Sequence, residues 1–243
     1  MSTQAVPNSD QTMKSANQVG FYASIATVAF TLLTFGFAIV AIPISGANCL
    51  EGCIDYPYLD TLAQFPKDYR WMVPAILLML IYLITMVSIH QTAAQEKKIF
   101  SLIGLCFALM STLVLVSDYF IQFSVIPISL MHGETEGITL LTQYNAHGIF
   151  IVLEELGYLL MSLSFPFFAL VFTPKNRLEG AIRWVFLAGF GLALLALAVV
   201  TLNHGLNRQD RFEVMVISID WLVLVINGIL LSIVFRKRLK GQL

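Results

Sequence analysis

The sequence predicts an all-α fold, a polytopic integral membrane protein built as a six-helix transmembrane bundle, and three observations carry that prediction. Hydrophobic residues make up 58% of the 243-residue chain and charged residues 12%, whereas soluble domains are about a quarter charged. Six apolar runs are long enough for the ~20 helical residues that a ~30 Å hydrocarbon core requires. None of the runs shows the alternation of barrel strands, so their backbone hydrogen bonds must be made within helices. The spans fall near residues 21–45, 71–90, 99–130, 146–172, 182–202 and 213–235. No soluble segment or linker tract is left over, so residues 1–243 are expected to form a single transmembrane domain.

The first twenty residues carry Lys14 as their only basic group. They lack the basic region and short apolar core of a cleavable signal, so the first span is expected to be retained. Within it Thr27, Thr31 and Thr34 share a face, as Gly189, Ala193 and Ala196 do in the fifth span; such stripes let helices approach closely. The 46–70 connection holds Cys49 and Cys53 among Glu51, Asp55, Asp60 and Asp68. In an oxidising compartment the two cysteines would close a small turn, and their spacing is equally compatible with two free loop thiols. Zinc would need two further ligands there.

Trp71 and Pro74 open the second span as an interfacial anchor and a proline tolerated in a first helical turn. His90 closes that span at its solvated boundary. The third run is about 48 Å long at 1.5 Å per residue, more than a bilayer core. Pro127 offers a break that would leave residues 128–131 at the interface. Cys106, within the same run, reads as a small core residue.

Lys14, Lys97, Lys98, Lys175, Arg177, Arg183, Arg236, Lys237, Arg238 and Lys240 fall on one side of six spans. Lys67, Arg70, Arg208 and Arg211 fall on the other. The positive-inside rule then puts both termini in the cytoplasm of an inner, or cell, membrane. Scattered basic residues and a net charge of −1 give no footprint for nucleic acid. The lipid bilayer is the expected partner.

Ionisable groups at membrane depth are costly and point to function. Helical spacing sorts them into stripes. Asp118 lies one turn from Gln122; His147, Glu154 and Tyr158 share a face of the fourth span, with Glu155 turned away by about 100°. Glu213, Asp220 and Asn227 recur every seven residues in the sixth. Counted from the span ends, Glu154 and Asp220 lie at similar depth, about 12 and 10 Å in. Asp118, Glu154 and Asp220 are therefore expected to meet in one outward-opening pocket, with Gln122, His147, Tyr158 and Trp221 beside them. Glu155 is expected at its edge, and the acidic loop of residues 132–137 is its expected lid. An acid followed by an aromatic recurs at Asp118-Tyr119 and Asp220-Trp221.

Four intramembrane acids, with no Lys or Arg well inside any span, need neutralisation. Protons, a bound cation, a proton relay, or a divalent metal held by carboxylates and His147 would each serve. Acids hydrogen-bonded only for helix packing form the structural alternative. His-Glu-x-x-His, the phosphate-binding glycine loop and the Gly-x-Ser-x-Gly elbow are absent, and no cofactor is indicated.

At Asp118-Tyr119-Phe120-Ile121-Gln122, His132-Gly133-Glu134-Thr135-Glu136-Gly137 and Tyr144-Asn145-Ala146-His147-Gly148-Ile149-Phe150, followed by Glu154-Glu155-Leu156-Gly157-Tyr158, the chain resembles uncharacterised prokaryotic multi-span membrane proteins of the domain-of-unknown-function kind. The resemblance covers about residues 115–167. It implies a bacterial or archaeal inner-membrane protein and brings no activity with it. Two functions fit the residues: binding or transport of a cation, protonated amine or proton, and an intramembrane enzyme acting on a lipid-like substrate through a carboxylate and His147. Tyr119, Tyr158 and Trp221 would add cation–π contacts in the first.

Overall fold

The computed structural model describes residues 9–40, 44–174 and 176–242, and within them all regular structure is helical. Six helices are long and apolar enough to cross a membrane, so this is a membrane protein with an all-α bundle. They are α1 (Ser9–Val40), α2 (Met72–Thr92), α3 (Lys98–Ser124), α6 (Ile149–Ala169), α7 (Arg177–His204) and α8 (Arg211–Leu239). Two short helices, α4 (Ile126–Met131) and α5 (Ile138–Leu141), lie in the α3–α6 connection. The connections fall into two sets. One end of the bundle gathers the α1–α2, α3–α6 and α7–α8 connections and is called the disulfide end; the other holds the described chain ends.

The long helices pack in a ring: α1 against α2 and α8, then α2 on α3, α3 on α6, α6 on α7 and α7 on α8. A further contact of α6 with α8 closes the middle. The most apolar stretch of α6 is 61% buried, against 28% for α1 and for α7, so α6 is the helix most enclosed by protein among these three. Close approach depends on small residues. A Cβ on Gly157 would strike Leu115 on α3, and one on Gly228 would lie 2.6 Å from Val28 of α1.

Hydroxyl stripes are tolerated because each side chain bonds back into its own helix. Ser24, Thr27, Thr31 and Thr34 donate to the carbonyls four residues earlier, at 2.7–2.9 Å, which satisfies them without water. Thr27 also meets Thr85 of α2 at 3.2 Å. The expected packing stripe on α7 is likewise buried at Gly189, Ala193 and Ala196.

Several boundaries move from those expected. α1 starts at Ser9, about three turns before residue 21, and its polar extension begins with Asp10 in the first turn. It ends at Val40; residues 41–43 of the expected first span lie outside the described residues, as does Lys175 of the charge count. The long third run breaks at Val125, two residues before Pro127, which sits in the first turn of α4. Proline lacks the N–H that would continue the ladder, so the chain restarts as a new short helix. Cys106 is exposed rather than in the core, because Gly104, Ala108 and Ser111 take the packed face of α3. His90 is half-buried at the span boundary, where its Nδ1 lies 2.8 Å from Ser101 Oγ. Cys49 and Cys53 are joined as a disulfide, with Cα atoms 6.0 Å apart.

Candidate functional site

The site grows from the first two turns of α6. Gly148, extended at φ −77°, ψ 175°, precedes the helix, and Asn145 fixes the approach by accepting from the His147 N–H and donating to Thr139 O. The helix therefore begins at Ile149. His147 sits in the capping loop, exposed, and does not extend the Glu154–Tyr158 stripe. It lines a separate cavity of about 520 Å³ with Glu155 and Arg208. Glu155 is held there by an ion pair with Arg208, so it is peripheral to Glu154 and its charge is already answered.

Glu154 is 1% exposed and terminates a chain of donors. Trp221 Nε1–H donates to the Tyr158 hydroxyl at 3.1 Å. The Tyr158 and Tyr119 hydroxyls are 3.0 Å apart, and Tyr119 donates to Glu154 Oε1 at 2.7 Å. Indole N–H is a donor only, which fixes the first link, and the single Tyr119 proton, spent on Glu154, fixes the next. With Trp221 filling an acceptor site on Tyr158, the Tyr158 hydroxyl donates onward to Tyr119, and every proton points at Glu154. The two acid-aromatic dipeptides thus converge on Tyr158 through Tyr119 and Trp221.

The partner acid is Glu213, at the first turn of α8, rather than Asp220. Glu213 is 9% exposed, and its carboxyl is within side-chain hydrogen-bonding reach of Glu154. Asp118 is the next charge neighbour of both; it is buried, and its Oδ2 has no partner among the described residues. Asp220 instead accepts from Ser162 Oγ at 2.8 Å. Ser162 is eight residues beyond Glu154 on α6, or about 12 Å at 1.5 Å per residue. The expectation of equal depth failed because α8 starts at Arg211 and α6 at Ile149, so Asp220 is nine residues into its helix and Glu154 only five.

Gln122 does not face the pair. Its Nε2 donates to Leu141 O at 2.8 Å and its Oε1 accepts from the Gln143 N–H at 3.0 Å, clamping the loop after α5 onto α3. Residues 132–137 are exposed and form no lid; the cover comes from Ser45, Asn48 and Tyr144. Tyr144 donates to Asp68 at 3.3 Å. Burial, with Tyr69 and Asp68 beside it, pushes the Tyr144 hydroxyl well above its usual pKa, so it remains a donor.

Two openings reach the acid pair. A vestibule of about 220 Å³ at the disulfide end is lined by Asp68, Asp210, Glu154 and Glu213. A cleft of about 360 Å³ between α1 and α8 is lined by Phe35, Ile39, Trp71, Trp221 and the same two glutamates. It adjoins a second apolar cleft of about 300 Å³ that shares Phe35, Ser218 and Trp221. Phe35 and Trp71 set aromatic edges against Trp221 and Tyr119 at 5.9 and 5.1 Å between ring centroids. Among the described residues, no Lys or Arg lines either opening, and no three His, Cys, Asp or Glu side chains are grouped for a metal ion.

Neither a family model, a curated protein nor a solved structure matches this chain.

Sequence reasoning missed Glu213 as a site residue, although the seven-residue stripe with Asp220 contained it. At the end of an apolar run it serves only to mark where the span begins. Only the folded chain supplies the cover.

Proposed function

We propose that this is a cell-membrane protein whose disulfide end faces outside, whose termini are cytoplasmic, and whose Glu154–Glu213 pair binds an organic cation, a protonated amine or quaternary ammonium. One observation carries the reading: a carboxylate held by a three-donor chain opens to both an acidic vestibule and an aromatic cleft, with no basic side chain in either among the described residues. Carboxylates supply the charge, and Trp71, Trp221 and Phe35 supply faces for a cation and surface for its alkyl part. The apolar cleft between α1 and α8 gives such a ligand a route from the lipid as well as from water. The alternative of acid–base chemistry with His147 has less support, since His147 lies with Glu155 and Arg208.

Binding of alkyltrimethylammonium ions to the purified full chain tests the ligand. Hexyltrimethylammonium is expected to bind more tightly than tetramethylammonium, and at about 100 times its dissociation constant to stabilise the protein by about 2.7 kcal/mol. Glu154→Gln, which keeps the shape and removes the charge, should abolish that stabilisation. Equal stabilisation of Glu154→Gln would sink the proposal.

The orientation rests on the bias of Lys and Arg and on the resemblance to prokaryotic inner-membrane proteins. An impermeant thiol reagent should label Glu134→Cys in intact cells and leave Arg177→Cys unlabelled until the membrane is opened. The reverse pattern inverts the topology.

A further inference from the structure

Glu154 and Glu213 line the same two openings with their carboxyls adjacent, and a hydrogen bond between two carboxyl groups requires a proton on one of them. The other donors around the pair decide which. Glu154 already accepts from Tyr119, at the end of a chain whose donors all point toward it. Glu213 has no such donor among the described residues. A donor already on Glu154 favours its ionised form, which makes Glu154 the acceptor and Glu213 the carrier of the proton. Glu213 is also the more exposed of the two, 9% against 1%, and lines both openings.

Resting on the cation reading above, we infer that Glu213 is an exchange site: a cation binds the acid pair by displacing one proton from Glu213 into the vestibule. An ammonium ion offers positive charge or N–H donors and no acceptor. When it takes its place against Glu154, the Glu213 O–H loses its acceptor, and a neutral Glu213 can answer neither the cation nor Tyr119, which is already donating. Deprotonation turns Glu213 from donor to acceptor. The O–H bond breaks, its electron pair stays on the carboxylate, and the proton goes to water. The pair carries one negative charge before the exchange; afterwards two carboxylates and one monovalent cation carry the same charge, so the protein interior meets no new net charge.

The groups facing Glu213 fit this assignment. Glu154 and Glu155 face it from α6 and Asp210 from the α7–α8 connection; Asp118 neighbours it from α3, and Asp68 lines the same vestibule. Arg208 is bonded to Glu155, Arg211, two residues before Glu213, donates to Asn207 O, Arg208 O and Gln209 Oε1, and α1 contributes Phe35, Ala38 and Ile39 to the lining. Tyr119 and Tyr158 are committed to the donor chain. The proton on Glu213 thus has acids around it, and among the described residues no Lys or Arg lines either opening to replace it, which leaves that role to a ligand.

The test is calorimetric titration of the full chain in phosphatidylcholine nanodiscs with hexyltrimethylammonium, in two buffers of different ionisation enthalpy at one pH. About one proton should be released per cation bound, and by linkage the dissociation constant should fall about tenfold for each unit of rising pH while Glu213 remains protonated. Binding with no proton release overturns the inference and leaves the cation reading standing; failure of the wild-type chain to bind overturns both. Glu213→Gln keeps the donor to Glu154 and cannot ionise, so it should bind more weakly, with no release and no pH dependence. Release that persists in Glu213→Gln assigns the proton to another acid, Asp118 foremost, and overturns the proposal. The wild-type measurement stands even if that variant fails to fold.

Discussion

Two buried acids on α8, Glu213 and Asp220, stand seven residues apart on one helical face and meet opposite fates. Glu213 reaches a carboxylate that is served by three donors and open to a vestibule and a cleft. Asp220, fully buried, accepts from Ser162, leaves its second oxygen without a partner among the described residues, and lines none of those openings. Beside it the Tyr82 hydroxyl meets Ser164 at 2.8 Å, and Ser164 donates back to Met161 O. The upper layer is a polar network with one end open to the vestibule and the cleft. The lower is a set of paired groups that line neither opening. An acid in a membrane helix is thus no indicator of function by itself; what separates the two is whether the acid reaches an opening.

The sharpest way to break this comparison is Tyr119→Phe. The change removes the hydroxyl that donates to Glu154 and accepts from Tyr158, so the carboxylate loses a charged hydrogen bond of roughly 1.5–3 kcal/mol. Because the donor chain holds the carboxylate in place in the proposed site, hexyltrimethylammonium affinity should fall roughly tenfold to a hundredfold. Trp221→Phe, two links away and neutral, should weaken binding by less. Unchanged affinity in Tyr119→Phe, measured on a folded variant, would reduce the chain to packing.

The bundle was legible because span length and the absence of alternation are local properties. The Glu154–Tyr158 stripe was legible for the same reason, since both lie inside one helix at a four-residue spacing. Glu213 was not, because its burial depends on loop residues such as Asn48 and on Trp71 covering the start of α8. His147 was misplaced by two residues of helix start, which Asn145 and Gly148 decide. Depth counted from the ends of apolar runs failed for Asp220, since helices that start at different heights bring different residues level. The Cys49–Cys53 spacing left pairing open until the loop geometry brought the two within bonding distance.

The smaller prediction sharpens the lower half of the comparison. Ser162→Ala removes the one donor to Asp220 and leaves both carboxyl oxygens without a partner among the described residues. Because the layer lines neither opening, no water or ligand from either takes the place of the hydroxyl, and the loss should appear as stability, about 1–2 kcal/mol in reversible unfolding. Affinity for hexyltrimethylammonium should stay within about twofold of wild type, since Ser162 is about 12 Å along α6 from Glu154 and independent sites at such separations add. Asp220→Asn should behave alike, trading one acceptor for a donor in the same shape. A fall in cation affinity in either variant, with stability intact, would mean that the two layers act as one path through the bundle rather than as an open site above a closed joint.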